Sequence, residues 1–465
     1  MGLLAATFAT RALFAADRFA VDWNSLQSEI FEHYSNLIRI DTSSPPGNET
    51  KAAQYLKSVL DREGIPARIY EMEPGRGNVV ARLKGDGAKR PLLIMGHLDV
   101  VGVQREKWTV DPFAALRKDG YIYGRGSIDD KDKVTTALMV VLMLKRLKVP
   151  LDRDVIFLGE AGEEGGANVG IGFMVNQHWD EIDCEFAITE GGTAMSRDGK
   201  VRTVEIATTE KVPRRVVLVA HGQAGHGSRP RLDNPLAHLS QAIWKVYANQ
   251  PPMRLNDTTR TYFERLAKVS TAEQADRYLH LTDPARSAAI QAYFAEHELT
   301  HYSILRTSVV PTILKGGFRS NVIPSEAEAT LDIRTLPDED MPKFYELMRK
   351  VIDDPAVEVV PTNRISRDTA APSRIDSEAW RVIEAANQKI YRTPTLPEMS
   401  TGATDMAYLR AKGVQCYGIG PMVDEEDGAK GFGAHSDQER LLEEALYKFV
   451  QFNWEVATSL AATKH

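Results

Sequence analysis

Apolar residues recur every three to four positions in WNSLQSEIFEHYSNLIRI (23–40) and in KAAQYLKSVLDREG (51–64). That spacing predicts two amphipathic helices, the second stopped by Gly64, with the polar loop DTSSPPGN (41–48) between them. Shorter apolar runs follow, ARIYEM (67–72), NVVARLKG (78–85) and PLLIMGHLDVV (91–101), and they read as strands. A helix over 133–147 then leads into the strand DVIFLG (154–159), and a helix over 167–178 into the strand EFAIT (185–189). Strands alternating with helices predict an α/β domain with a mostly parallel sheet. From about Thr208 the pattern changes. RRVVLVAHG (214–222) and AEATLDIR (327–334) read as strands of a half-exposed sheet, and the charge-rich stretch 235–300 between them reads as helical. Helix, strand and helix patterns return at 377–391, 414–420 and 440–460. The expected architecture is a discontinuous α/β domain, 20–210 and 335–465, carrying an inserted smaller α+β domain at 211–334.

Composition narrows the function. A net charge of −7 argues against a nucleic-acid partner, which selects for a basic face. Two cysteines supply neither a disulfide framework nor a thiolate metal site. No apolar stretch is long and clean enough for a membrane span, so no membrane partner is expected. The small, apolar start (1–19) reads either as the remnant of an export signal or as an N-terminal helix, which leaves exported and cytoplasmic locations open. The GDG at 85–87 is not a dinucleotide fingerprint, so an oxidoreductase reading has no support.

Four segments place ligand-type residues directly after apolar runs: IMGHLDVV (94–101), GRGSIDDKDK (124–133), GEAGEEGG (159–166) and AITEGG (187–192). In a parallel α/β sheet the carboxyl ends of the strands converge on the ligand crevice. His97, Asp129, Asp130, Glu163, Glu164 and Glu190 are therefore expected at one edge. So many carboxylates repel one another unless cations neutralise them, and imidazole with carboxylates suits zinc, manganese or cobalt. His97 and Asp99 lie two apart, on the same side of an extended backbone, so Asp99 can hold the second ring nitrogen of a metal-bound His97. Asp129 or Asp130 can be a ligand, or either can cap the following helix. Glu163 and Glu164 diverge from a strand end, which suits one metal ligand and one general base. An isolated EEGG would read as a solvated acidic turn; recurrence of such segments at four strand ends argues otherwise.

These motifs resemble the M20 family of zinc metallopeptidases, in its carboxypeptidase S-like and aminoacylase branch. The shared order runs through GHLDVV, DGYIYGRGSIDDK, EAGEEGG, TEGG, GQAGHGSRP, GGFRSNVIP, LDIR, STGATD and GAHSDQE, over about residues 25–460. The resemblance implies two Zn²⁺ per subunit, with Co or Mn able to substitute. It implies His97 and Glu190 on one ion, Glu164 and His435 on the other, and Asp129 bridging. Asp99 would orient His97, and Glu163 would be the general base. His226, Asn321, Arg334 and the loop residues Ser400, Thr401 and Gly402 would contact substrate. The implied reaction is hydrolysis of a peptide or N-acyl amide bond next to a free carboxylate, on a small peptide or N-acyl amino acid. An aminopeptidase or dipeptidase of the same family is the alternative, and a non-catalytic metal-binding relative a further one. The family often dimerises through the inserted domain, so a homodimer contact is expected there. Asp132 stands where the family usually has glycine, and serving the helix dipole is its simplest role.

Overall fold

The computed structural model describes residues 18–362 and 370–463. Positions 1–17 of the stretch read as an export signal or helix lie outside the described residues. Contacts divide the chain into two units. One holds the chain up to Val204, Asp376–Pro394 and the chain from Gly420 onward; the other holds Glu205–Ile375 and Thr395–Ile419.

In the first unit the strand Leu92–His97 lies between Val155–Glu160 and Phe186–Thr189 and is parallel to both. All six residues of Leu92–His97 are buried. This is why the run LLIMGH is apolar without alternation: parallel strands are covered on both faces. The hairpin Ala67–Glu71 and Gly77–Leu83 extends the sheet antiparallel to Val155–Glu160. The helix Lys131–Arg146 packs on Leu92–His97 and is buried from Lys131 to Leu144, so its apolar residues occupy every side. The C-terminal helix Glu443–Ala461 packs against it.

Two local features position the site. The helix expected over 167–178 starts only at Ile171. Gly170 lies so close to the Ala161 carbonyl that a Cβ there would sit 1.7 Å from the oxygen, and the EEGG segment stays a tight turn. The hairpin Leu116–Lys118 and Tyr121–Tyr123 accepts Arg440–Leu442 as a third, antiparallel strand. That pairing sets the loop after Tyr123 beside the loop before Arg440.

The second unit contains a four-stranded antiparallel sheet ordered Ser308–Gly316, Glu326–Thr335, Val212–His221, Val357–Thr362. Along Glu326–Thr335, Ala327, Ala329, Leu331 and Ile333 are buried. They pack with Leu239, Ala242 and Val246 of the helix Pro235–Ala248 and with Phe344, Met348 and Ile352 of the helix Met341–Ile352. The unit therefore reaches beyond 211–334: a strand and a helix that follow Arg334 complete its sheet and its core. The stretch 235–300 is not one helical run either. It is broken after Ala248 by Pro251 and Pro252, and restarted by capping boxes at Asn256 and Thr271, which open Asp257–Leu266 and Ala272–Leu279. Ser287–His297 and Leu299–Ile304 follow, and Phe263, Tyr278 and Phe294 form their common core with Leu396 and Met399. Among the described residues no helix is long and apolar enough to cross a membrane.

Candidate metal centre

The strand ends of the first unit bring the expected ligands together. His97 is the last residue of its strand and is 1% exposed. Its Nε2 lies 2.8 Å from Asp129 Oδ1 and 3.7 Å from Glu190 Oε2. His435 Nε2 lies 3.0 Å from Asp129 Oδ2 and 2.8 Å from Glu164 Oε1. Asp129 thus turns one oxygen to each imidazole. His97, Asp129 and Glu164 each offer a ligand atom within 4.8 Å of the others, and so do His97, Glu163 and Glu190. Two overlapping sets of nitrogen and oxygen donors, with no thiolate, fit zinc, cobalt or manganese.

Electrostatics point the same way. Burial disfavours charge on His97, but Asp129 and Asp99 outweigh it and hold the imidazole pKa well above its usual value. Asp129 and Glu164 push His435 up to about 10. Burial opposes ionisation of Asp129 as well, yet His435 and His97 hold its carboxyl below the usual range. Glu190 is raised well above a normal glutamate by burial and by the charge of Glu163. The cluster needs positive charge, which protons on two imidazoles supply and divalent ions supply equally well.

Asp99 and Asp130 stand behind the donors. Asp99, fully buried, accepts the backbone N–H of Glu163 on one oxygen and that of Glu164 on the other, both at 3.1 Å. The Nδ1 of His97 meets the backbone carbonyl of Asp99 at 3.0 Å, while the Asp99 carboxylate is 3.6 Å away. The orienting role assigned to the Asp99 side chain is therefore shared with its own backbone, and the carboxylate chiefly holds the EEGG turn. Asp130 turns away from the donors and accepts the backbone N–H of His97 at 3.1 Å. Gly96 makes room for it, since a Cβ there would lie 2.6 Å from Asp130 Oδ2. This separates the two acids that the sequence left open. Asp132 is buried, and burial followed by the charge of Asp130 raises its carboxyl well above the usual range. Asp132 stands in the first turn of Lys131–Arg146, where a helix dipole favours an acid, and burial opposes the charge that would serve the dipole.

The remaining candidates lie in the second unit. The strand Gly225–His226 pairs with Val322–Ile323, and the Gly227 N–H donates to the Asn321 carbonyl at 2.8 Å, which sets His226 beside Asn321. The exposed His226 accepts the Ser228 backbone N–H on Nδ1 at 3.1 Å, so its neutral ring carries the proton on Nε2. Arg334 reaches Asp332 through Nε at 3.1 Å and lines a cavity of about 230 Å³ with Arg214, Arg215, Thr312 and Thr330. Ser400 Oγ accepts the Gly402 N–H at 3.1 Å, and Thr401 lies between them. The residues missed by sequence reasoning, Arg125 and Glu439, sit inside motifs it had singled out. Their signal was a charged residue at a position the packing leaves buried.

Comparison with known proteins agrees with this geometry. Residues 93–458 match the peptidase family M20/M25/M40. Human N-fatty-acyl-amino acid synthase/hydrolase PM20D1 is 26% identical over 80% of this chain and 74% of its own length. Mouse aminoacylase-1 is 26% identical over 92% of this chain and 94% of its own. The crystal structure of an M20 family metallo-carboxypeptidase, Sso-CP2 from Sulfolobus solfataricus, superposes with a TM-score of 0.69 at 20% identity, covering 93% of this chain and 99% of that one. With a match across most of its length and an acid–imidazole cluster at its strand ends, the chain belongs to peptidase family M20/M25/M40 and is a hydrolase of that family.

Proposed function

We propose that this protein is a two-zinc amidohydrolase that cleaves a peptide or N-acyl bond next to a free carboxylate. The observation that carries the reading is Asp129, whose two oxygens face His97 and His435 at 2.8 and 3.0 Å, the disposition of a ligand shared by two cations. His97 and Glu190 complete one position; Glu164 and His435 complete the other. Bound divalent ions supply Lewis acidity and make water nucleophilic near neutral pH. Glu163 accepts the proton of the attacking water and returns it to the leaving nitrogen. His226, with its proton on Nε2, is a donor for the developing oxyanion. Arg334 offers a planar fork to the substrate carboxylate, a geometry that a lysine would not reproduce, while Asn321 and Ser400–Gly402 add polar contacts. The relatives act, by name, on N-fatty-acyl-amino acids and as aminoacylases, and an N-acyl amino acid has an amide bond beside a carboxylate.

The test is an assay of metal-depleted and zinc-, cobalt- or manganese-restored protein on N-acyl amino acids, their C-terminal amides and unblocked dipeptides. Metal-dependent hydrolysis of the free acids in preference to the amides is expected. Full activity after metal removal would overturn the two-metal reading, and preference for a free amino terminus would favour the aminopeptidase alternative.

A further inference from the structure

Arg125 and Glu439 form an ion pair with 2% and 0% exposure. Burying such a pair gives little net stability, because the desolvation cost offsets the Coulombic gain. The contacts of the pair indicate what it does accomplish. Arg125 Nη1 donates to Glu439 Oε2 at 2.6 Å, and its Nη2 donates to the carbonyl of Ser436, next to His435, at 3.0 Å. Glu439 Oε2 also accepts the Gly126 N–H at 3.2 Å. Its other oxygen accepts the N–H groups of Ile128 and Asp129 at 2.8 and 3.3 Å. One carboxylate thus gathers the backbone of the loop that ends in Asp129, and one guanidinium ties that loop to the segment carrying His435. The two segments lie 314 residues apart between Arg125 and Glu439.

The two imidazoles depend on this arrangement unequally. His97 is buried at the end of a central strand, with its backbone N–H on Asp130 and its ring on the Asp99 carbonyl. His435 has a side chain that is 52% exposed and a backbone φ of +62°, a conformation uncommon for a residue with a Cβ. Its placement rests on the loop around it, and that loop is pinned through Ser436.

We propose that Arg125 and Glu439 are positioning residues that set the spacing between Asp129 and His435, and so the affinity of the metal position those two share with Glu164. The inference rests on the two-metal reading above. Loss of the pair weakens this position more than that of His97 and Glu190, which shares Asp129 but keeps a histidine held independently by Asp130 and the Asp99 carbonyl.

The experiment is titration of metal-free protein with Co²⁺, following the visible absorption bands and competing with a chelator of known affinity. Wild type, Glu439→Gln, Arg125→Lys and the reference variant His435→Ala are compared. Wild type should take up two ions. Glu439→Gln should bind the second ion 10- to 100-fold more weakly, in the range found for groups that support ligands. Its one-equivalent spectrum should overlay that of His435→Ala, and the first ion should change by less than about threefold on the same scale. Arg125→Lys keeps the charge and loses one arm of the fork, so it should fall between wild type and Glu439→Gln; it carries the test by itself if Glu439→Gln does not fold, as judged by circular dichroism of the metal-free form. A wild type with two ions whose variants lose neither, or lose both alike, overturns the inference alone. A wild type that takes up fewer than two ions overturns the two-metal reading and the inference together.

Discussion

Replacing Asp99 with asparagine tests whether one buried carboxylate holds the EEGG turn. The change is isosteric, so it opens no cavity. Asp99 is ionised in the fold: burial alone would raise its pKa, but His97 and the two backbone N–H groups lower it below the usual range. Each N–H···carboxylate bond, at 3.1 Å to a buried carboxylate, is worth about 1.5–3 kcal/mol. Asparagine keeps one acceptor, now uncharged, and turns an NH₂ toward the other N–H. Losing one bond and weakening the second amounts to about 2–4 kcal/mol. The effect is local, so hydrogen–deuterium exchange in the metal-free protein is the suitable assay. The amides of Glu163 and Glu164 should exchange roughly 30- to 1,000-fold faster, the range to which that energy corresponds. Because the same turn aims Glu164, metal affinity should fall in parallel by about 10- to 100-fold. Unchanged exchange at these two amides, together with unchanged metal binding, would refute the reasoning.

Glu163→Gln should lower kcat by several orders of magnitude with metal content intact, whereas Glu164→Gln should lower metal occupancy; elemental analysis beside steady-state kinetics checks this, and identical behaviour of the two would remove the division of roles. Arg334→Ala should raise KM for substrates with a free carboxylate by about 10- to 150-fold, equivalent to a charge-assisted contact of roughly 1.5–3 kcal/mol, and hardly alter KM for the matching amides. Away from the metal centre, burial and the charge of Glu398 push Glu205 up to about 8, and burial pushes Glu398 up to about 7. Between pH 4.5 and about 7–8 the native state therefore binds protons that the unfolded chain lacks, so this contribution is complete below pH 4.5 and is lost as pH rises through 7–8. Glu398→Gln should remove much of that slope, raising stability at pH 8 by up to about 3 kcal/mol and changing it little at pH 4.5, as read from denaturant unfolding at the two pH values; equal shifts at both would count against it.

The sequence alone determined the elements whose burial is written into their periodicity. The run LLIMGH read as a strand and KVTTALMVVLMLKRL as a helix, so the placing of His97 at a strand end followed from local pattern. The succession of acid-bearing turns, each after an apolar run, was enough to predict a cation site and most of its candidate donors, whereas His435 entered only through the resemblance to a known family. Where a strand is half covered the pattern is weaker. The edge strand Ser308–Gly316 is interrupted by a bulge after Pro311, and Val357–Thr362 is short, so the second unit's extent beyond Arg334 could not be read from periodicity. What tertiary structure decided was direction. Asp129 and Asp130 are adjacent and chemically identical, and only the packing of Gly96 and the His97 backbone against Asp130 turns one acid inward and leaves the other between two imidazoles. Asp99 looked like a partner for a histidine because it lies two residues away. Its partners across the turn, Glu163 and Glu164, are 64 and 65 residues distant. Arg125 and Glu439 were visible as letters but carried no spacing that marks a pair. Hydrogen bonds between segments hundreds of residues apart leave no periodic trace, because loop closure joins the ends of a chain without constraining the residues between them.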